Sequence, residues 1–130
     1  MYVSKVSLLA PGLAADNVSA AATMTAIMKT VITNGTGRAA NIGKPAAGKT
    51  GTTDDSKDAY FIGFTPDVVT GVWVGNDDNS QMGGITGGTV PALIWKDVMT
   101  VATAPYGNAD FEYPEVILNP VSYTHLTLPT

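Results

Sequence analysis

The stretch Gly43-Lys44-Pro45-Ala46-Ala47-Gly48-Lys49-Thr50-Gly51-Thr52 satisfies two catalytic motifs that belong to different folds. From Gly43 to Thr50 it is a complete G-x-x-x-x-G-K-[ST] phosphate loop, the signature of a nucleotide hydrolase or kinase. From Lys49 onward it carries K-T-G, an element of serine acyl-transfer enzymes. A phosphate loop works by joining a buried strand to a helix whose N-terminal N–H groups and dipole face the phosphates. Neither flank provides this. Upstream, Asn34 to Ile42 is rich in turn residues and has no apolar run to serve as a central strand. Downstream, Gly51-Thr52-Thr53-Asp54-Asp55 is a poor helix start and sets two carboxylates where phosphates would approach. Context therefore favours K-T-G over the NTPase reading, with a lysine in a glycine-rich surface turn as the plain structural alternative.

Outward from this stretch, the pattern alternates between helices and strands. Met24, Ile27, Met28, Val31 and Ile32 recur at helical spacing between Ser19 and Asn34, which predicts a helix packed through that stripe. Asn17 or Ser19 is expected to cap its start and Gly35 its end. Pro45 to Thr52 reads as a short strand whose glycines suit an exposed edge. Ala59-Tyr60-Phe61-Ile62-Gly63-Phe64 and Val68-Val69-Thr70-Gly71-Val72-Trp73-Val74 are aromatic and β-branched, and Thr65-Pro66-Asp67 between them predicts an antiparallel hairpin. Asp54 to Asp58 reads as a solvated loop, since its three aspartates match no calcium-loop spacing. A flexible loop, Asn76 to Gly88, precedes a helix from about Pro91 to Ala102, started by Thr89 and Pro91 and expected to turn Leu93, Ile94, Val98 and Val101 to one side. Tyr2 to Leu9 is a further candidate strand.

Composition narrows the partners. The chain has 130 residues, 45% of them hydrophobic, enough to bury the core of one domain. A net charge of -4 argues against nucleic acid, whose phosphates need a basic face. With no cysteine there is no disulfide, thiolate metal site or cysteine nucleophile. The one histidine, His125, lies near the C-terminus, so no triad with an upstream histidine is available. No apolar run approaches the roughly 20 residues of a membrane-spanning helix.

Taken in order, Asn34-Gly35-Thr36-Gly37, Pro45 to Thr53, Lys57 to Pro66, Gly71-Val72-Trp73-Val74-Gly75, the loop Gly83 to Gly88 and the block Pro91-Ala92-Leu93-Ile94-Trp95 resemble the class A penicillin-binding proteins. The similarity is to the C-terminal part of their transpeptidase domain and covers residues 19–104. It implies an α+β fold, a partial penicillin-binding transpeptidase of the serine β-lactamase-like kind, with three antiparallel strands flanked by helices. A β-lactamase shares K-T-G but is not expected to carry the hairpin and Trp95 blocks in this order.

The resemblance also implies a chemistry. In that family a serine of a Ser-x-x-Lys motif attacks a stem peptide ending in D-Ala-D-Ala, forms an acyl-enzyme and passes the acyl group to an amine of a neighbouring strand. β-Lactams mimic the donor. No cofactor or metal takes part. The implied substrate-binding residues are Lys49, Thr50, Gly51 and Thr52: Lys49 supplies positive charge near the peptide carboxylate, and Thr50 points into the packing. Gly51 keeps the strand surface clear, and the Thr52 hydroxyl donates to the same carboxylate. The Thr52 backbone N–H is the implied catalytic group, half of an oxyanion hole worth about 3 kcal/mol in comparable hydrolases.

The departures from the family pattern matter as much. No serine in the chain has a lysine three residues later, and no Ser-x-Asn element occurs. The chain alone is therefore expected to be inactive, with the nucleophile, glycosyltransferase domain and membrane anchor upstream in a parent located at the extracytoplasmic face of a bacterial membrane. Met1 then reads as an internal start or truncation edge. A non-catalytic wall-binding module is the other reading of a missing serine. Residues 1–18 match the family poorly, 105–120 read as an extended tail, and Val121 to Thr130 resembles a translated sequencing adapter, with a C-terminal strand of alternating β-formers as the other reading.

Overall fold

The computed structural model describes residues 2–4 and 15–113. In chain order these form β1 (Tyr2–Ser4), α1 (Ala15–Thr33), a 3-10 turn (Arg38–Ala40), β2 (Ala47–Thr52), β3 (Asp58–Phe64), β4 (Val69–Gly75) and α2 (Val90–Ala102). The strands make one antiparallel sheet in the order β1-β4-β3-β2. The expected three strands and two helices are all present. β1 adds a fourth strand at the far edge, running Tyr2 to Ser4 against Gly71 to Val69. The rest of the candidate strand, to Leu9, lies outside the described residues.

The hairpin β3–β4 is closed by Thr65. Its backbone N–H donates to the Val68 carbonyl at 2.9 Å, and its hydroxyl accepts the N–H groups of Val68 (3.2 Å) and Asp67 (3.3 Å). Threonine therefore does the work of the tight connection by bonding the backbone a few residues on. Strand alternation then sorts the side chains. Ala59, Phe61 and Gly63 of β3, with Thr70 and Val72 of β4, point to a buried face, while Tyr60, Ile62 and Trp73 stand on the opposite, exposed face.

Helix α2 covers the buried face through Pro91, Ala92, Trp95 and Met99. Trp95 is fully buried, meets Phe61 edge-on at 5.2 Å between ring centroids, and donates its indole N–H to the carbonyls of Thr70 (2.9 Å) and Gly63 (3.3 Å). Burying two such rings supplies several kcal/mol, about 2–3 each by area. The stripe expected to face inward is not the one used: Leu93, Ile94 and Val101 are exposed, and Val98 is half-buried. The helix is apolar on more than one side, so spacing alone does not choose. Trp95 chooses, because its N–H must find acceptors and the sheet has two carbonyls to offer. Thr89 stands at the N-cap as expected, but its hydroxyl is spent on a local turn with Thr86.

Helix α1 differs from expectation in the same way. It begins at Ala15, so Asn17 and Ser19 lie inside it. From residue 20 onward its buried residues are Ala22, Thr25 and Ile32, with Ile32 joining the Phe61–Trp95 core, whereas Met24 and Ile27 are about half exposed. Small side chains allow closer approach than methionine does, and α1 sits on its Ala22–Thr25 side. Gly35 follows the helix end, where a Cβ would come within 2.8 Å of the Val31 backbone. Past α2, the segment to Tyr113 has no regular structure but is anchored: Phe111 is buried edge-on to Phe64, and Asp110 pairs with Lys29 of α1 at 2.8 Å. Residues 114–130, with the adapter-like segment and His125, lie outside the described residues.

Candidate functional site at the edge of the sheet

β2 is an edge strand, with β3 its only partner among the described strands. The Thr53 N–H donates to the Asp58 carbonyl at 3.0 Å, which fixes the phase of the ladder. In an antiparallel pair the bonded residues alternate, so Lys49 and Gly51 bond to β3, and the N–H and C=O groups of Gly48, Thr50 and Thr52 face outward along the edge. Such a row of unpaired groups is a template for an extended peptide. The Lys49 ammonium reaches round to this edge, where it donates to the outward Thr50 carbonyl at 2.8 Å. This geometry excludes the phosphate-loop reading. Gly48, Lys49 and Thr50 lie inside a strand, and the next element is β3 rather than a helix.

Alternation divides the four site residues between two faces. Lys49 and Gly51 lie on the exposed face with Ile62 and Tyr60, and Thr50 and Thr52 on the face carrying Phe61 and Ala59. Only a ligand at the edge itself meets both sets. Thr50 does not simply disappear into the packing: it is half-buried, and its hydroxyl lies 2.7 Å from that of Thr36, in the turn after α1. The Thr52 side chain is exposed to solvent, yet its hydroxyl accepts the Gly87 N–H at 3.0 Å.

The loop before α2 explains these contacts. A Cβ on Gly87 would collide with the Tyr60 carbonyl and lie 2.7 Å from the Gly51 N and O, and one on Gly88 would collide with the Thr36 carbonyl. The two glycines thus lie flat against the β2–β3 ladder and the Thr36 turn. The reason is close backbone approach, since neither is among the positive-φ residues, while Gly83 (φ 49°) and Gly84 (φ 85°) supply the bend before them. Composition alone marks this loop as flexible; its glycines instead bring it onto the site. Gly51 itself is not crowded, because a Cβ there would make only ordinary contact with Tyr60 at 3.5 Å.

The aspartate-bearing loop after β2 is held by the side chains of Thr53 and Asp58. Thr53 accepts the Lys57 and Asp58 N–H groups, and Asp58 accepts the Trp73 indole N–H at 2.9 Å. Asp55 pairs with Lys57 at 3.2 Å, and that hydrogen bond holds its carboxyl below the usual carboxylate range. No group of metal-ligating side chains occurs among the described residues. Among the same residues, no helix is long and apolar enough to cross a membrane.

Comparison with known proteins gives a consistent result. No protein-family model matches the chain. Penicillin-binding protein 1A of Aquifex aeolicus is 49% identical over 90 residues, which is 68% of this chain but 12% of that protein. The solved structure of the penicillin-binding protein PonA1 from Mycobacterium tuberculosis superposes with a TM-score of 0.62 at 33% identity, covering 75% of this chain and 28% of that one. Its complex with penicillin V superposes with a TM-score of 0.56 at 34% identity, over 76% and 27%. The fold is that of a penicillin-binding protein. More narrowly, the chain belongs to the class A family represented by penicillin-binding protein 1A, and spans 12% of the length of the curated relative named above.

Proposed function

We propose that this chain is the substrate-holding part of a serine D,D-transpeptidase that cross-links peptidoglycan and is inhibited by β-lactams. The observation that carries the reading is the composition of the β2 edge. A cation (Lys49), two hydroxyls (Thr50 and Thr52) and the outward N–H of Thr52 converge on one unpaired stretch of strand. A stem peptide or β-lactam lies along that edge with its terminal carboxylate toward Lys49 and the threonine hydroxyls. These are charge-assisted contacts, the strong kind. Gly51 leaves room for the peptide backbone. The Thr52 N–H points at the scissile carbonyl oxygen and stabilises the oxyanion as the tetrahedral intermediate forms.

The nucleophile comes from another part of the parent, on a Ser-x-x-Lys motif, because no serine here is followed by lysine at that spacing. Unactivated serines are weak nucleophiles, so this chain alone forms no acyl-enzyme. The parent works at the extracytoplasmic face of the bacterial membrane, where peptidoglycan is assembled.

The test is labelling with a fluorescent penicillin, using this chain and the complete protein that contains it side by side. A covalent band on the complete protein, lost in Lys49→Ala, and none on this chain is the expected result. A stoichiometric band on this chain, or an unlabelled complete protein, overturns the reading.

A further inference from the structure

We propose that Thr36 and the backbone N–H of Gly87 are positioning groups for the carboxylate end of the site, acting through the hydroxyls of Thr50 and Thr52. The inference rests on the reading that a carboxylate docks at the β2 edge. A hydroxyl bonds an anion only if its own proton points there; otherwise a lone pair does, and the contact repels. Something must therefore fix the rotor.

At Thr52 the answer is unambiguous in direction. An amide N–H can only donate, so the 3.0 Å bond from Gly87 makes the Thr52 oxygen the acceptor and leaves its proton free for a second partner. The amide is placed by sterics, since the Tyr60 carbonyl and the Gly51 backbone admit only glycine at that position. At Thr50 the 2.7 Å pair with Thr36 does the same when Thr36 donates, because the Thr50 proton is then released toward the edge. Gly88 seats this pair by lying between the Thr36 carbonyl and the Thr50 methyl, 3.7 Å from the latter by its notional Cβ. Two separate segments, the turn after α1 and the loop before α2, thus each contribute one group that faces a threonine of the strand rather than the ligand.

The alternative role for Thr36 is purely structural, a staple between turn and strand. The two roles separate by charge. The experiment measures the acylation rate constants of the complete protein with a fluorescent penicillin and with its carboxylate methyl ester. Thr36→Val should slow acylation by the free acid by up to about tenfold, the scale of the one neutral hydrogen bond it removes, and leave the ester rate near wild type, with Thr36→Ser restoring the acid rate. Gly87→Ala should lower the same acid-to-ester ratio, and should no longer do so when Thr52 is already valine. Because Gly87→Ala strains backbone, Thr36→Val is the deciding variant; Thr36 is exposed, and valine fits its space. An unchanged acid-to-ester ratio in Thr36→Val, or equal loss with both compounds, overturns the proposal alone. A wild-type protein that reacts equally with acid and ester overturns the carboxylate reading and this proposal with it.

Discussion

The indole N–H of Trp95 lies 2.9 Å from the carbonyl of Thr70, a residue of β4 whose own hydroxyl donates to the sulfur of Met99, one helical turn further along α2. Helix and sheet are therefore joined by a polar contact inside an otherwise apolar layer of Phe61, Val72, Ala92 and Met99. Trp95→Ala should destabilise the fold by about 3–5 kcal/mol through the cavity it leaves. Trp95→Phe keeps most of the volume but leaves the carbonyls of Thr70 and Gly63 without that donor, at a cost of about 1–3 kcal/mol. Urea unfolding followed by far-ultraviolet circular dichroism checks the ranking. If phenylalanine costs as much as alanine, the indole bond outweighs ring burial, contrary to this account.

Two glycines on neighbouring strands should respond in opposite ways to alanine. At Gly63 a Cβ would sit 2.8 Å from the Trp95 ring and 3.0 Å from the Ala47 carbonyl, so Gly63→Ala overpacks the core and should cost about 1–3 kcal/mol. At Gly51 the added methyl meets only Tyr60 at ordinary distance. Gly51→Ala should leave unfolding within about 0.5 kcal/mol of wild type, the usual range for a surface change. In the complete protein it should still slow acylation by penicillin if, as proposed, the ligand lies along the β2 edge beside the added methyl. Equal stability of the two variants would contradict the packing argument, and unimpaired acylation of Gly51→Ala would contradict the role given to the glycine.

The β3–β4 hairpin was legible from the sequence because β-branched and aromatic residues flank a turn whose threonine and proline leave few alternatives, whereas β2, Ala-Gly-Lys-Thr-Gly-Thr, carries only a weak strand signal. The helices were legible as helices, but not in orientation. Met24, Ile27, Leu93 and Val101 are as apolar as the residues that are buried, and nothing local records which side meets the sheet. Within the site, Lys49 to Thr52 stand out because a cation and two hydroxyls crowd an edge strand. Thr36 and Gly87 do not. Their contacts, to Thr50 and Thr52 respectively, span long loops of chain, and only the folded sheet brings them together. The split of Lys49 and Thr50 between faces follows from strand alternation, but the hydroxyl of Thr36 that engages Thr50 does not.

The clamp between Lys29 and Asp110 should make the docking of the tail depend on pH at both extremes. Burial tends to raise the Asp110 carboxyl, but the hydrogen bonds from Lys29 and from the Phe111 N–H outweigh it and hold the group below its usual range. For Lys29, burial works downward and is outweighed by Asp110 and Tyr113, which raise it. A depressed carboxyl stabilises above its unfolded pKa of about 3.9 and loses that contribution as pH falls through the lower folded value. A raised lysine stabilises below about 10.4 and loses its contribution as pH rises through the higher folded value. Docking should thus be constant between about pH 5 and 9 and weaken outside. The pair lies at the surface, with Asp110 about half exposed, so solvent screens it and the effect is small, about 0.2–1 kcal/mol. Amide exchange of Phe111 measured against pH tests this. Asp110→Asn should flatten the acid limb, and an acid limb that survives the substitution would assign it to another group.

The exposed face of the sheet carries Tyr60 and Trp73 as a direct cross-strand pair, with Ile62 beside them, and Trp73 and Ile62 are each more than half exposed. Leu93, Ile94 and Val101 on α2 add a second apolar surface, Val101 being 76% exposed. Scattered apolar side chains on a surface are ordinary, but a contiguous apolar row next to an unpaired edge strand is a recipe for self-association. In isolation this chain should therefore aggregate through the Tyr60–Ile62–Trp73 face and the β2 edge. Ile62→Lys, which places a charge in the middle of the row, should raise the soluble fraction several-fold, since inward and central charges on exposed strands oppose edge pairing. Val101→Lys, on the other side of the molecule, should do much less. Light scattering of the purified variants at matched concentration discriminates between the surfaces. If Val101→Lys proves the better solubiliser, α2 rather than the sheet drives association.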